Sequence, residues 1–195
     1  MKKILLFISV IALVSTGGCK KDSSSSDPTG LNNQDIVNAI FQAGMAWNTP
    51  TKSLKGVYPI NISVDNTKTG PEGGNIHVIG SVTGSMTMDD HTGAIISGTM
   101  LLGLTETINA YAFKSNGLTY VMNGAPYVSL SGTFTLVNGG KFGSASSMQI
   151  GGGVKVTGNG VDKTVNINLT IILNSNGTGG SVSGTIDGVS VNYNF

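Results

Sequence analysis

The chain has 195 residues, a formal net charge of +1 and a charged fraction of only 11%. Every basic residue is Lys and Arg is absent, so the bidentate fork that reads phosphates and guanine edges is missing, which argues against nucleic-acid binding. Gly is abundant at 29 residues, amid many Ser, Thr and Asn, a polar, weakly charged composition common in extracellular β proteins.

The first element in chain order is an export signal. Lys2 and Lys3 precede an apolar run from Ile4 to Val14, followed by Ser15, Thr16, Gly17 and Gly18, then by Cys19, the single Cys of the protein. Charge, apolar run and small residues in that order form a secretory signal, too short for a membrane span once the small residues are set aside. A lone Cys has no disulfide partner. The stretch resembles the lipobox of bacterial lipoproteins, with Thr16 where Leu is usual. That resemblance implies cleavage between Gly18 and Cys19, a diacylglyceryl group on the thiol, and often a further acyl chain on the new amino group. Two or three acyl chains give stable anchoring, because each buried CH₂ adds about 0.8 kcal/mol and one chain is marginal. The alternative is an ordinary cleaved signal that leaves Cys19 as a free thiol.

Residues 1–18 are thus expected to be a signal peptide and 19–30 a lipidated Cys with a Ser-rich tether (Ser23 to Ser26), too poor in apolar side chains to offset ordering entropy. The patch Lys20-Lys21-Asp22 is similar to surface-export signals of some Gram-negative lipoproteins, which usually carry more acid. The expected location is the cell envelope, lipid-anchored in the outer membrane, in either leaflet. Without the signal, nine Lys face ten acidic residues, and no basic stripe remains to capture polyanions. The remaining residues 31–195 are enough for one domain with its own core.

One helix is predicted over 33–47. Ile36, Val37, Ile40, Phe41, Gly44 and Trp47 recur at three- and four-residue steps and make one apolar stripe. Asn32 or Asn33 caps it, Asp35 suits its first turn, and Asn48-Thr49-Pro50 ends it. Phe41 and Trp47 are expected to pack on the β domain.

From about residue 57 everything reads as strands with period-two alternation. The runs are Ile60–Val64, Ile76–Met88, Ile95–Phe113, Leu118–Met122, Val128–Leu136, Met148–Val156, Val165–Ile171, Val182–Ile186 and Val189–Phe195. Asn116-Gly117, Asn159-Gly160, Asn176-Gly177 and Asp187-Gly188 supply the positive φ of type I′ hairpin turns. The expected fold is mostly β: an antiparallel coiled sheet, or a barrel or half-barrel, of long hairpins with one N-terminal α-helix. Mid-strand glycines point to strong coiling, since Gly weakens a strand unless it permits a bend, bulge or close approach.

Candidate chemistry is thin. His77 reads as a solvent-facing strand residue beside Ser81, Thr83 and Ser85. Asp89, Asp90 and His91 are weak metal candidates, outweighed by a polar hairpin turn in which Asp caps the backbone. Glu106 lies within the apolar run Leu102, Leu104, Ile108. Burial there is costly without a partner, so a strand turned toward solvent is the expectation, with a raised-pKa acid or a ligand contact as the alternatives. Gly151-Gly152-Gly153 lacks the following helix that phosphate-binding loops need and reads as a bulge or bend. Met86, Met88, Met100, Met122 and Met148 read as core filling. No catalytic residue and no cofactor is assigned.

The functional expectation is a membrane-tethered exported lipoprotein, held by Cys19, with a non-enzymatic binding or structural β domain. Its partners would be the membrane and a small apolar ligand or a protein. One alternative is an integral outer-membrane β-barrel, because Val189, Val191, Tyr193 and Phe195 resemble the barrel-assembly signal of such proteins. The other is a surface hydrolase.

Overall fold

The computed structural model describes residues 30–45, 56–176 and 179–195. The signal, Cys19, Trp47, Asn48-Thr49-Pro50 and Gly177 lie outside the described residues.

The helix α1 spans Asn33–Gly44. Asn32 caps it, its side chain accepting from the Gln34 N–H at 2.9 Å, and Asp35 sits in the first turn, where the helix dipole favours an acid. Ile36, Val37, Ile40, Phe41 and Gly44 are all buried, so the stripe read from sequence is the packed face. The helix stops at Gly44, before the expected end at Trp47. Gly44 is where the helix backbone lies against the sheet: a Cβ there would collide with Leu130 and sit 2.8 Å from Glu106 Oε1.

Ten strands follow: β1 (Gly56–Thr69), β2 (Asn75–Met88), β3 (Ile95–Asn109), β4 (Tyr111–Ser115), β5 (Leu118–Val137), β6 (Lys141–Phe142), β7 (Ser147–Gly158), β8 (Val161–Leu173), β9 (Gly180–Ile186) and β10 (Val189–Asn194). They form one antiparallel sheet in the order β1-β2-β3-β5-β7-β8-β9-β10, with β4 and β6 both paired to β5. Spatial order is sequence order, the meander that short hairpin turns impose. Asn116, Asn159 and Asp187 take φ of 48°, 49° and 54°, each followed by a positive-φ Gly, so these three turns adopt the left-handed conformation their residue pairs call for. The sheet is not closed into a barrel; β1 and β10 are its two ends.

Two expected strand boundaries differ. The run 95–113 breaks at Ala110, which takes φ 47° and donates its N–H to Asn123 Oδ1 at 2.8 Å. The runs 118–122 and 128–136 instead fuse into the 20-residue β5, whose register against β7 shifts between Gly124 and Val128. The break and the bulge face one another, so the long β3–β4–β5 hairpin bends there. Gly151-Gly152-Gly153 runs alongside: Cβ atoms at Gly152 and Gly153 would run into the Tyr127 and Ala125 carbonyls. That triplet lets β7 pass the bulge, as a bend-forming role requires.

Alternation gives the sheet two unlike faces. Along one register line the inner face carries Ile62, Val82, Leu102, Gly132, Met148, Ile171, Val182 and Tyr193. These inner residues and the stripe of α1 make one continuous core, with Met100, Met122 and Met148 buried in it. A single sheet and a 12-residue helix enclose that core because the sheet coils. Inner-face Gly80, Gly84, Gly152 and Gly184 take φ of 134–149°, where neighbouring backbone leaves no room for a side chain.

Candidate functional site

Three features collect the polar chemistry. The first is Glu106, whose side chain points into the core and is fully buried. This corrects the expectation of a strand turned to solvent: β3 is an interior strand of the sheet, and Glu106 keeps the inward parity of Leu102, Leu104 and Ile108. Its two carboxyl oxygens have no hydrogen-bond partner among the described residues. Burial pushes its pKa up to about 9, against the pull of the Lys68 charge and of the Gly44 backbone N–H, which comes near the carboxyl without meeting hydrogen-bond geometry. Glu106 is therefore a neutral carboxylic acid at pH 7. Lys68, on β1, donates to Gln42 Oε1 of α1 at 2.9 Å, and its own pKa is lowered by burial, an effect opposed by Glu106.

The second feature is an open groove of about 520 Å³ between the polar face of α1 (Gln34, Asp35, Asn38, Gln42), the β1–β2 turn (Pro71, Glu72) and β4. Glu72 and Lys114 pair across its rim at 3.1 Å. Tyr111 and Phe113 form its floor and are almost wholly buried, so the groove offers amides and carboxylates and little ring surface.

The third is the outer face of the sheet. One register line reads Ser63, Ser81, Gly103, Ser131, Gln149, Thr170, Ser183 and Asn192 across all eight main strands; its neighbour reads Asn61, Thr83, Leu101, Thr133, Ser147, Ile172, Ser181 and Asn194. The next line begins at Asp65 and continues through Ile79, Thr105, Ser129, Gly151, Asn168, Thr185 and Ser190. Asp65 is the one charged side chain in the three lines. It meets His77 Nε2 at 2.9 Å, which places His77 on this outer face, as its parity predicts.

Asp89, Asp90 and His91 sit in the β2–β3 turn. Asp89 Oδ1 accepts from the His91 N–H at 3.0 Å, the Thr92 N–H at 2.7 Å and the Thr92 hydroxyl at 2.8 Å. These bonds, the Thr92 backbone first, hold its carboxyl below the usual carboxylate range. Asp89 is thus a turn cap, and among the described residues no group of three or more His, Cys, Asp or Glu is arranged to hold a metal. Glu106 pairs with Val78 while Ile95, beside this turn, pairs with Met88; at ~3.3 Å per residue the two sites lie roughly 35 Å apart along the hairpin. They form no joint site.

Sequence reasoning missed Tyr127, which falls between two predicted strands yet is 51% exposed on β5. Its parity with Ser129 and Ser131 was the available signal. Comparison with known proteins finds no matching family model, no matching curated protein and no matching solved structure. The class of molecule is therefore defined by the fold itself: an open, coiled antiparallel meander closed over on its inner side by one helix.

Proposed function

We propose that the protein is an exported, lipid-anchored binding module, held in the outer membrane through Cys19 and displaying a β domain that binds rather than converts its ligand. The observation that carries this reading is how the chain joins the domain. Eleven positions beyond Cys19, the Gly30 carbonyl accepts from Asn116 Nδ2 at 2.9 Å and from the Ser115 hydroxyl at 3.4 Å, and the Asn32 N–H donates to the buried Ser115 Oγ at 2.8 Å. The chain is thus hydrogen-bonded to the β4–β5 tip at Gly30 and Asn32, the point at which the proposed tether would hand a pull on the anchor to the domain.

The faces of the sheet favour a tether over a membrane-embedded wall. A membrane barrel turns an apolar band to lipid and its polar side to the lumen. Here the apolar face is the core under α1 and the outer lines are mostly hydroxyl and amide, with Ile79, Leu101 and Ile172 standing singly among them. The inner face is filled with its own side chains, which leaves ligand contact to the outer face or the groove. Of the acidic candidates, Asp89 caps a turn and Glu106 is buried in the core.

Changing Cys19 to Ala tests the reading. The expected result is that the protein moves from the membrane fraction to the soluble envelope fraction without detergent, and no longer incorporates labelled fatty acid. Retention of the variant in membranes would instead support an embedded barrel.

A further inference from the structure

We propose that the outer-face strip along β5, running from Tyr127 through Ser129, Ser131 and Thr133, is a binding track for a neutral polysaccharide chain. This deepens the binding-module reading and rests on it.

Three observations converge on this strip. Tyr127 presents its ring to solvent where the β5 bulge lifts it, in line with a column of hydroxyls on the same parity. An exposed aromatic ring is a stacking surface for the C–H face of a sugar, and Ser and Thr hydroxyls exchange hydrogen bonds with sugar hydroxyls at little rearrangement cost.

The strip is also flanked by two glycines that the fold does not require. Gly103 pairs with Ser131 and Gly151 with Ser129. A Cβ at Gly103 would meet nothing within 4 Å, and one at Gly151 only Ser129 Oγ at 3.6 Å, an ordinary contact. Neither takes a positive φ. These positions differ in kind from the inner-face glycines, where backbone crowds the site. Their effect is a shallow trough on either side of β5, open to an extended chain.

Charge selects the occupant. The three register lines around the strip hold a single charged side chain, Asp65, three strands away on β1 and paired with His77. Lys155, exposed on the same face of the adjacent β7, is already paired with Asp162 at 3.0 Å. Among the described residues a polyanion would therefore find no unpaired cation along the strip to replace its counterions. A protein partner would find no Arg. The exposed apolar side chains of these lines, Ile79, Leu101 and Ile172, stand singly among polar cross-strand neighbours and make no apolar centre of the kind protein interfaces concentrate. A neutral hydroxyl-rich chain binds such a surface without desolvating any charge.

Affinity electrophoresis of the detergent-extracted full-length protein in gels containing a neutral glucan, mannan or galactan, or a polyuronate, tests the proposal. The expected result is retardation by at least one neutral polymer and none by the polyuronate. Tyr127→Ala should weaken that retardation about tenfold, the scale of losing one stacked aromatic anchor. Gly103→Val should weaken it similarly while leaving the melting temperature unchanged or raised, since valine favours strands. Gln42→Ala, in the groove beside α1, should leave it intact. No retardation by any neutral polymer, retardation by the polyuronate alone, or retardation that survives both strip variants would overturn the assignment. Fractionation of the Cys19→Ala variant reports the anchor independently, so a failed track leaves the tether standing and a failed tether leaves the track to be judged on these gels.

Discussion

Replacing Glu106 with Leu is expected to stabilise the fold at pH 7.5 by about 4–6 kcal/mol, read from urea unfolding at unchanged slope. A buried polar group without a partner costs about 1–3 kcal/mol, and Leu fills a similar volume among Leu104, Leu130 and Val128, the residues that already line this part of the core. The pH dependence gives a second, sharper readout. The folded-state pKa of Glu106 is raised from 4.5 to about 9, so between those values the folded protein holds a proton that the unfolded chain has released. Folding is then favoured most fully below pH 4.5 and loses about 1.4 kcal/mol per pH unit as the pH rises toward 9. From pH 5 to 7.5 that is a loss of roughly 3 kcal/mol in the wild type, and the Leu variant should not show it. A wild type as stable at pH 7.5 as at pH 5 would mean that Glu106 finds a charge partner.

The glycines predict the other large effect. Gly84→Val should destabilise the domain by at least about 3 kcal/mol, enough to unfold much of a marginally stable protein at 37 °C. Gly84 takes φ 148°, and a side chain there would strike the Thr99 carbonyl across the β2–β3 pairing. Gly103→Val, one strand over and on the opposite face, should fall within about 0.5 kcal/mol of wild type or above it. Thermal melts of the two variants side by side test whether coiling of the sheet, and not strand propensity in general, is what these glycines provide. Equal losses at both positions would contradict the distinction.

Much of this fold is legible in the chain because its strands obey one rule at length. Alternation at Ile76 through Met88 and at Met148 through Val156 names both the strands and their buried faces, and the Asn-Gly and Asp-Gly pairs fix where they turn. The bend at Ala110 is not legible, since Ile108 and Tyr111 extend an apolar run that local propensity reads as continuous strand. Only pairing with the bulge of β5 interrupts it. Glu106 shows the opposite case: the alternation places it inward correctly, and the cost of burying a carboxylate argues for solvent. Protonation resolves the conflict, because a neutral acid is far cheaper to bury than a charged one. The outer face is a third case. Each strand displays its Ser, Thr and Asn openly in sequence, yet the rows that unite Ser63 with Asn192 across eight strands depend on register, which no single strand encodes.

In the proposed reading a lipid anchor at Cys19 ties the domain to the membrane, and mass spectrometry of the N-terminal peptide from membrane-extracted protein tests it directly. The expected peptide begins at Cys19 and carries two or three acyl chains. An unmodified Cys19, or a mature chain that begins elsewhere, would contradict the account.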